Sequence, residues 1–112
     1  MNTFTVELQA AEAQAVAFTD DELRVELVDG RTLTVPLAWY PRLAHASPAE
    51  RDQWRLIGRG EGIHWPALDE DISVENLLTG KPSGESQASF ARWQEERRTK
   101  LKSVNHSKGP KL

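Results

Sequence analysis

The residues with the clearest potential for chemistry are one histidine and three consecutive acids, His64 and Asp69-Glu70-Asp71. In an extended chain Asp69 and Asp71 point to the same face, which would bring two carboxylates, and with His64 an imidazole, to one place. A site for a hard cation usually takes more oxygen ligands, and general acid–base catalysis needs a cleft and a shifted pKa. We therefore predict no catalytic residue, no metal and no cofactor here. We expect Asp69 or Asp71 to cap the helix that follows, and Glu70 to be solvated.

A glycine-rich run, Gly58-Arg59-Gly60-Glu61-Gly62, could be read as a phosphate-binding loop. It lacks the Gly-Lys-Ser/Thr ending of such loops, and Glu61 would place a negative charge beside the phosphate. The run is more typical of a tight turn between two short strands.

Four large aromatic residues could line a ligand groove or fill the core: Trp39, Tyr40, Trp54 and Trp65. The core is favoured, and we expect Trp65 to be buried against Trp54 or Leu37. Where such rings are partly exposed they form binding hot spots together with arginine. Arg42 and Arg59 are the cations that we expect beside them.

Charge is distributed unevenly along the chain. Residues 1–80 contain 6 Lys/Arg and 14 Asp/Glu, a net charge of −8, whereas residues 81–112 contain 8 Lys/Arg and 3 Glu, a net charge of +5. The acidic part would repel a phosphate backbone, so duplex DNA is an unfavourable ligand for it. The chain has no cysteine, which removes thiolate chemistry and agrees with a reducing cytoplasm. No signal peptide and no apolar run long enough for a bilayer is visible.

The clearest structural element is a β-hairpin over residues 23–37 that turns at Asp29-Gly30. A two-residue loop would place apolar side chains opposite polar ones on both faces. A three-residue loop ending in a left-handed Gly30 instead pairs Val25 with Leu33 and Leu23 with Val35 on one buried face. The hydrophobic pattern therefore predicts the longer loop.

Shorter elements surround this hairpin. Phe4, Val6 and Leu8 alternate as in a strand or extended arm, residues 10–14 look like a polar connector, and Val16 begins another strand. Further signals indicate a helix over about residues 48–54 with a Ser47/Glu50 capping box, a strand at 63–65, and a helix at 74–78 that starts at Asp71 or Ser73 and ends at Gly80.

The chain divides by composition into an acidic domain, 1–80, and a tail, 81–112. The tail begins with a Pro/Gly/Ser-rich linker over residues 81–86. A basic amphipathic helix follows, over about residues 86–102, and residues 105–112 look disordered. The apolar stripe of this helix consists of Phe90, Trp93, Leu101 and Val104. This stripe either docks on the domain or anchors a partner, so we expect the helix to be the mobile element. The candidate binding residues are Trp39, Tyr40, Arg42, Arg59, His64, Trp65, Asp69, Asp71, Phe90 and Trp93.

Several of these segments together resemble a bacterial family known as domain of unknown function 2442. The resemblance covers about residues 16–98 and rests on Asp29-Gly30-Arg31, Val35-Pro36-Leu37, residues 39–43, residues 60–66, residues 68–74 and Leu77-Leu78. It implies a small α+β domain without an agreed activity. Some members carry a fused helix-turn-helix domain, for which this chain has no room, and many sit beside a small toxin-like companion protein.

The fold expected is α+β: a small antiparallel sheet built from hairpins, short helices packed on it, and a C-terminal helical tail. The function expected is that of a non-enzymatic cytoplasmic interaction or regulatory domain, with another small protein as partner and no membrane. The family resemblance suggests the antitoxin-like half of a two-gene pair. The alternative is a small metal-dependent or acid–base enzyme that uses the carboxylates of residues 69–71.

Overall fold

Six strands and four helices make up the computed structural model, which describes residues 11–108, with side chains through residue 100. Two antiparallel sheets of three strands, ordered β1-β2-β3 and β4-β5-β6, contain all the strands of this part of the chain. The α+β class is confirmed, with the strands divided between two sheets. The strands are β1 (Ala13–Phe18), β2 (Glu22–Leu27), β3 (Thr32–Pro36), β4 (Arg55–Ile57), β5 (Gly62–Trp65) and β6 (Glu70–Ser73). The helices are α1 (Pro41–Ala44), α2 (Pro48–Arg51), α3 (Val74–Thr79) and α4 (Gln87–Lys108), and Leu37–Trp39 forms one 3-10 turn before α1.

The β2–β3 hairpin has the predicted register. Leu23 lies opposite Val35 and Val25 opposite Leu33. The loop is closed by the Leu27 amide, which donates to the Arg31 carbonyl at 2.8 Å. Gly30 has φ +98°, a conformation that side-chain-bearing residues rarely adopt. The argument from apolar parity is confirmed.

Strand β1 connects the two sheets through the backbone. The Ala13 amide donates to the Gly60 carbonyl at 2.7 Å, and the Val28 amide donates to the Glu12 carbonyl at 2.8 Å. Gly60 has φ +106°, and a Cβ added there would overlap the Ala13 carbonyl oxygen. Ala11 and Ala13 are buried. The prediction of a polar, alanine-rich connector over residues 10–14 was therefore wrong at residues 13–14, which begin β1, while residues 11–12 do connect without regular structure and residue 10 lies outside the described residues.

The second sheet contains the predicted glycine turn and one strand that was not predicted. Residues 58–61 connect β4 to β5, as expected for a turn rather than a phosphate loop. Glu70 and Asp71 lie in β6, which pairs with β5 and places Trp65 opposite Glu70. Ser73 caps α3 by accepting from the Asn76 amide at 3.0 Å, which confirms one of the predicted caps, whereas the expectation that Asp69 or Asp71 would be the cap was wrong. Gly80 ends α3 in the left-handed conformation, as predicted.

One apolar cluster joins both sheets and the short helices. Trp65, Leu23, Val25, Leu43 and Ile63 have no exposed surface. The Trp65 indole N–H donates to the Arg51 carbonyl at 3.0 Å, and the ring meets Phe18 edge-on at 6.3 Å. The predicted burial of Trp65 is confirmed.

The helices differ from the sequence expectation mainly in length. Ser47 and Glu50 form the predicted capping box, but α2 ends at Arg51, because residues 52–54 lead directly into β4. Helix α4 continues to Lys108, beyond the predicted end near residue 102, and no helix in the described part of the chain is long and apolar enough to cross a membrane. The predicted N-terminal arm at residues 3–8 and the side chains of Leu101 and Val104 lie outside the described residues.

Candidate functional site

The junction between α4 and the rest of the domain is organised around Arg42. This residue lies in α1, a single turn that Pro41 starts at its first position. Its Nε donates to both carboxylate oxygens of Glu85 at 3.0 Å, and its Nη1 donates to the carbonyls of Leu68 and Asp69 at 3.1 and 3.0 Å. The Arg42 and Glu85 side chains are only 15% and 10% exposed, so the pair is largely withdrawn from water. The Arg42 guanidinium, through these bonds, lowers the pKa of Glu85.

Trp93 is the aromatic centre of the same junction. It is 8% exposed, and the guanidinium carbons of Arg42 and Arg97 lie 5.2 and 4.6 Å from its ring centroid. Phe90 stacks on it at 5.6 Å. Arg97 also makes a paired contact with the Glu50 carboxylate at 2.9 and 3.0 Å, and this contact lowers the pKa of Glu50. We call these six residues the α4 seam: Arg42, Glu50, Glu85, Phe90, Trp93 and Arg97.

The linker that leads into α4 is held to the domain by its backbone. The Ser83 amide donates to the Trp39 carbonyl at 3.0 Å, and the Tyr40 hydroxyl donates to the Lys81 carbonyl at 3.3 Å. Ser89 adds a hydroxyl donor to Glu85 at 2.8 Å. The first turn of α4 therefore has a defined position although its linker is rich in Pro, Gly and Ser.

A groove of about 380 Å³ runs between α4 and the domain. Its walls combine charges of both signs with apolar surface, a lining that suits a peptide or side chains of mixed character better than one small charged molecule. The lining residues are Glu50, Pro66, Ala67, Asp69, Trp93, Glu96, Arg97 and Lys100.

Glu70 is the only described side chain whose pKa is raised into the neutral range. It lines a smaller cleft of about 130 Å³ beneath the linker, beside Tyr40. Burial raises the pKa of Glu70 to about 7; the negative charges of Glu85, Asp71 and Asp69 add to the effect, and Arg42 opposes it. Burial, and then the charge of Glu70, raises the pKa of Tyr40. Glu70 is thus a half-buried carboxyl that changes charge near pH 7 (rather than the solvated acid that the sequence predicted).

His64 and Asp71 face each other across β5 and β6, and His64 Nδ1 is hydrogen bonded to the Asp71 carboxylate. Asp69 is separate from them. It has φ +51° in the turn before β6, and its carboxylate is 92% exposed near Arg42. The three consecutive acids therefore have three different environments. Within the residues whose side chains are described, no group of three or more His, Asp and Glu residues could hold a metal ion.

The predicted site residues fall into two sets. Trp39, Tyr40, Arg42, Asp69, Phe90 and Trp93 come together around the α4 seam and its linker. The others lie elsewhere: Trp65 in the core, His64 and Asp71 on the second sheet, and Arg59 in the β4–β5 turn. Arg59 was expected beside an aromatic ring, but among the described residues Arg42, Arg51 and Arg97 have that position.

Sequence reasoning missed Glu50, Glu85 and Arg97 as parts of this site. Glu50 was recognised only as a capping residue, and it serves both roles. Glu85 and Arg97 pair with residues more than forty positions away, so no local pattern connects them. The one available signal was opposite charge in two halves of the chain, which does not identify individual pairs.

Comparison with known proteins places these observations in a family. None of the curated proteins matches the chain. A crystal structure of a protein of unknown function from Rhodospirillum rubrum is similar at 26% identity and a TM-score of 0.58, over 70% of this chain and 94% of that chain. The solution structure of an uncharacterized protein from Chromobacterium violaceum has the same fold, with a TM-score of 0.60 at 19% identity, over 80% of this chain and 82% of that chain.

The family match ends just before α4. It covers residues 13–83, that is, both sheets, α1 to α3 and the first part of the linker. The predicted resemblance is confirmed, and the chain belongs to the family described as proteins of unknown function, DUF2442.

Proposed function

We propose that this protein is a non-enzymatic protein-interaction domain in which α4 is a displaceable arm. The observation that carries the proposal is the chemistry of the α4 seam. Two ion pairs, Arg42–Glu85 and Arg97–Glu50, surround the Phe90–Trp93 stack. Trp and Arg are the residue types that dominate binding energy at protein interfaces.

The energetics of this seam favour reversible docking. Burying the two rings contributes a few kcal/mol at roughly 25 cal/mol per Å². Fixing the linker and the first turns of α4 costs a comparable free energy in chain entropy. The Arg97–Glu50 pair is about one-quarter exposed on both sides, so salt screens it and its net contribution is about 0–1 kcal/mol. A partner that offers equivalent contacts can therefore compete with the domain for α4.

Charge indicates the kind of partner. The tail carries +5 and leaves the domain at −8 when it is displaced. A small protein with an acidic groove that accepts Phe90 and Trp93 would replace both the charge and the apolar contacts of the seam. The family resemblance suggests that this partner is the toxin-like product of an adjacent gene, in a bacterial cytoplasm, with this chain as the antitoxin-like member.

The experiment is a binding measurement between the full chain and the product of the adjacent gene. Trp93→Ala and Arg97→Ala should each weaken binding by about tenfold or more, as expected for hot-spot residues. Arg92→Ala is the matched control, since it removes the same charge from an exposed position of α4. Equal affinity in all three variants would contradict the role of α4.

A second candidate, an acid–base or metal-dependent enzyme at residues 69–71, is favoured by one observation. Glu70 has a pKa of about 7, which suits a general base. Its cleft of about 130 Å³ leaves little room for a substrate, and Asp71 is engaged by His64. A thermal-shift screen with divalent cations separates the two functions. A cation that raises the melting temperature of the natural chain at micromolar concentration, but not that of an Asp69→Asn/Asp71→Asn variant, would support the enzyme.

A further inference from the structure

Strand β4 is an edge strand that carries aliphatic side chains on both faces. In the described part of the chain it pairs with β5 alone. Leu56 lies opposite the buried Ile63, so its side chain continues the core face of the sheet, yet it is 38% exposed. Ile57 lies opposite Gly62 on the outer face and is 43% exposed. An unpaired edge with apolar side chains on both faces is a template for another strand.

Two exposed arginines flank β4, and the acid of the adjoining turn, Glu61, accepts a hydrogen bond from the Arg59 backbone amide at 2.9 Å. Arg55 lies on the outer face with Ile57, and Arg59 lies in the adjoining turn. Both are exposed, and neither guanidinium has a hydrogen-bonded or ion-paired partner among the described residues. Arg24, Arg31, Arg42 and Arg97, in contrast, are paired with carboxylates.

We propose that the edge of β4 binds an extended segment of a partner protein in which aliphatic and acidic side chains alternate. Added as a fourth strand, the segment would place aliphatic side chains beside Leu56 on the core face and carboxylates beside Arg55 on the outer face. The carboxylates of the added segment would form charge-assisted hydrogen bonds with Arg55, whose guanidinium has no carboxylate partner among the described residues. The inference goes beyond the proposed function, since it shares no residue with the α4 seam and holds whether or not α4 moves.

A second copy of this chain fits the edge less well. Antiparallel pairing of two β4 strands centred on Leu56 would bring the two Arg55 side chains into diagonal reach across the new ladder. Like charges at that distance disfavour the pair, whereas an acidic strand gains from the same geometry.

The test is an NMR titration of the full-length protein with a capped nine-residue peptide that alternates valine and glutamate. We expect saturable chemical-shift changes at the amides of Arg55, Leu56 and Ile57. The affinity for the peptide should fall as salt is added, because salt screens the charges. A peptide that alternates valine and lysine should bind at least about tenfold more weakly. Loss of selectivity between the two peptides would overturn the proposal.

Variants locate the binding surface. Leu56→Asp should weaken binding of the glutamate peptide by about tenfold or more, and Val28→Asp should leave it unchanged. Val28 is the matched control because it is an aliphatic side chain, 56% exposed, in the β2–β3 loop. If Leu56→Asp does not fold, the charge-reversed variant Arg55→Glu/Arg59→Glu serves instead, and it should prefer the lysine peptide.

Two other occupants are distinguished in the same samples. The natural chain could instead associate with itself as its concentration rises, and Leu56→Asp could abolish that association. This result would mean that the β4 edge binds a second copy of the chain and not a partner strand. Slow amide hydrogen exchange at Arg55–Ile57 before any peptide is added, together with no peptide binding, would mean that the chain already covers this edge. Either result would overturn the proposal and leave the test of α4 unaffected.

Discussion

Two tryptophans with almost the same burial occupy very different surroundings. Trp65 has no exposed surface and lies in an apolar cluster, with its indole N–H bound to the Arg51 carbonyl. Trp93 is 8% exposed, but two arginines cover its ring and both of them are bound to carboxylates. The core around Trp65 depends on non-directional apolar contact, whereas the α4 seam combines a ring stack with two ion pairs, of which Arg42–Glu85 is largely buried and Arg97–Glu50 is about one-quarter exposed.

This difference shows that burial alone does not distinguish a core from a docking surface. An apolar core has no alternative partner in water, so it opens only when the domain unfolds. A partly exposed ion pair such as Arg97–Glu50 can exchange its partner for water or for another protein at small cost. Substitutions in the core should therefore lower the free energy of unfolding by more than substitutions in the α4 seam.

The largest effect is expected at Trp65. Trp65→Ala should lower the free energy of unfolding by about 3–5 kcal/mol, because it leaves a cavity in the core and an unpaired Arg51 carbonyl. Trp93→Ala should cost about 1–2 kcal/mol, because α4 can separate while both sheets remain folded. Urea denaturation followed by far-UV circular dichroism measures both values. Equal losses would mean that α4 is part of the core, as would unfolding of a chain truncated at Lys81.

Gly30 lies outside both regions, so a substitution there gives a reference value for the change in the free energy of unfolding. Gly30→Ala should destabilise the domain by more than about 1 kcal/mol, since φ is +98° and no atom lies within 4 Å of an added Cβ. The loss would then report backbone conformation alone. The same urea measurement tests it, and an unchanged midpoint would show that the loop relaxes to another turn.

Glu70 lies between the two regions, opposite Trp65 in the sheet and close enough to Arg42 to feel its charge. Its pKa is about 7 in the folded protein and about 4.5 in the unfolded chain, so folding takes up a proton between these values. Stability should therefore fall as pH rises from about 5 to about 8. With solvent screening of the half-buried group, Glu70→Gln should remove a penalty of about 1 kcal/mol at pH 8 and change little at pH 5.

Denaturation at a series of pH values measures this effect. Glu75→Gln, at an exposed position of α3, is the control and should follow the natural chain. The lowered pKa values of Glu50 and Glu85 act in a separate window, because their stabilisation is lost only as pH falls below about 4.5. A natural chain whose stability does not change between pH 5 and 8 would contradict the role of Glu70.

The smallest effect is expected at Arg97. Arg97→Ala should cost about 0–1 kcal/mol at low salt, and the loss should shrink at about 0.5 M salt because the Glu50 pair is screened. Arg92→Ala should have no effect at either salt concentration. Thermal denaturation of the three chains measures the difference, and a loss at Arg97 that does not depend on salt would assign its contribution to packing on Trp93.

The sequence predicted well where neighbouring residues determine the outcome. The hairpin register follows from apolar parity around Gly30, and the Ser47/Glu50 box and the Gly80 end of α3 follow from backbone groups that helix termini leave unpaired. It failed where distant residues decide. Glu70 was expected to be solvated and Asp71 to cap α3, because the pairing of β6 with β5 is a tertiary contact. Ala13 was assigned to a connector, because the approach of Gly60 is invisible in the local sequence.

The sequence identified several residues of the candidate site but not the ion pairs that they form. Arg42, Phe90 and Trp93 were identified, because arginine and large aromatic residues are conspicuous in any sequence. Glu85 was treated as linker, although it is the principal partner of Arg42. Complementary charges at long separation allow many pairings, and only the folded chain selects among them.

The hydrogen bond between Ala13 and Gly60 also bears on the order in which this chain folds during synthesis. Strands β1, β2 and β3 are consecutive, so their meander can form as soon as residue 36 is free. The Ala13 amide must then wait for the Gly60 carbonyl, which the ribosome adds 24 residues after Pro36 (60 − 36), or about 1–5 seconds later at typical rates of synthesis. During that interval the Ala13 amide can bond only to water or to another chain, so the start of β1 is the part of the meander most open to mispairing.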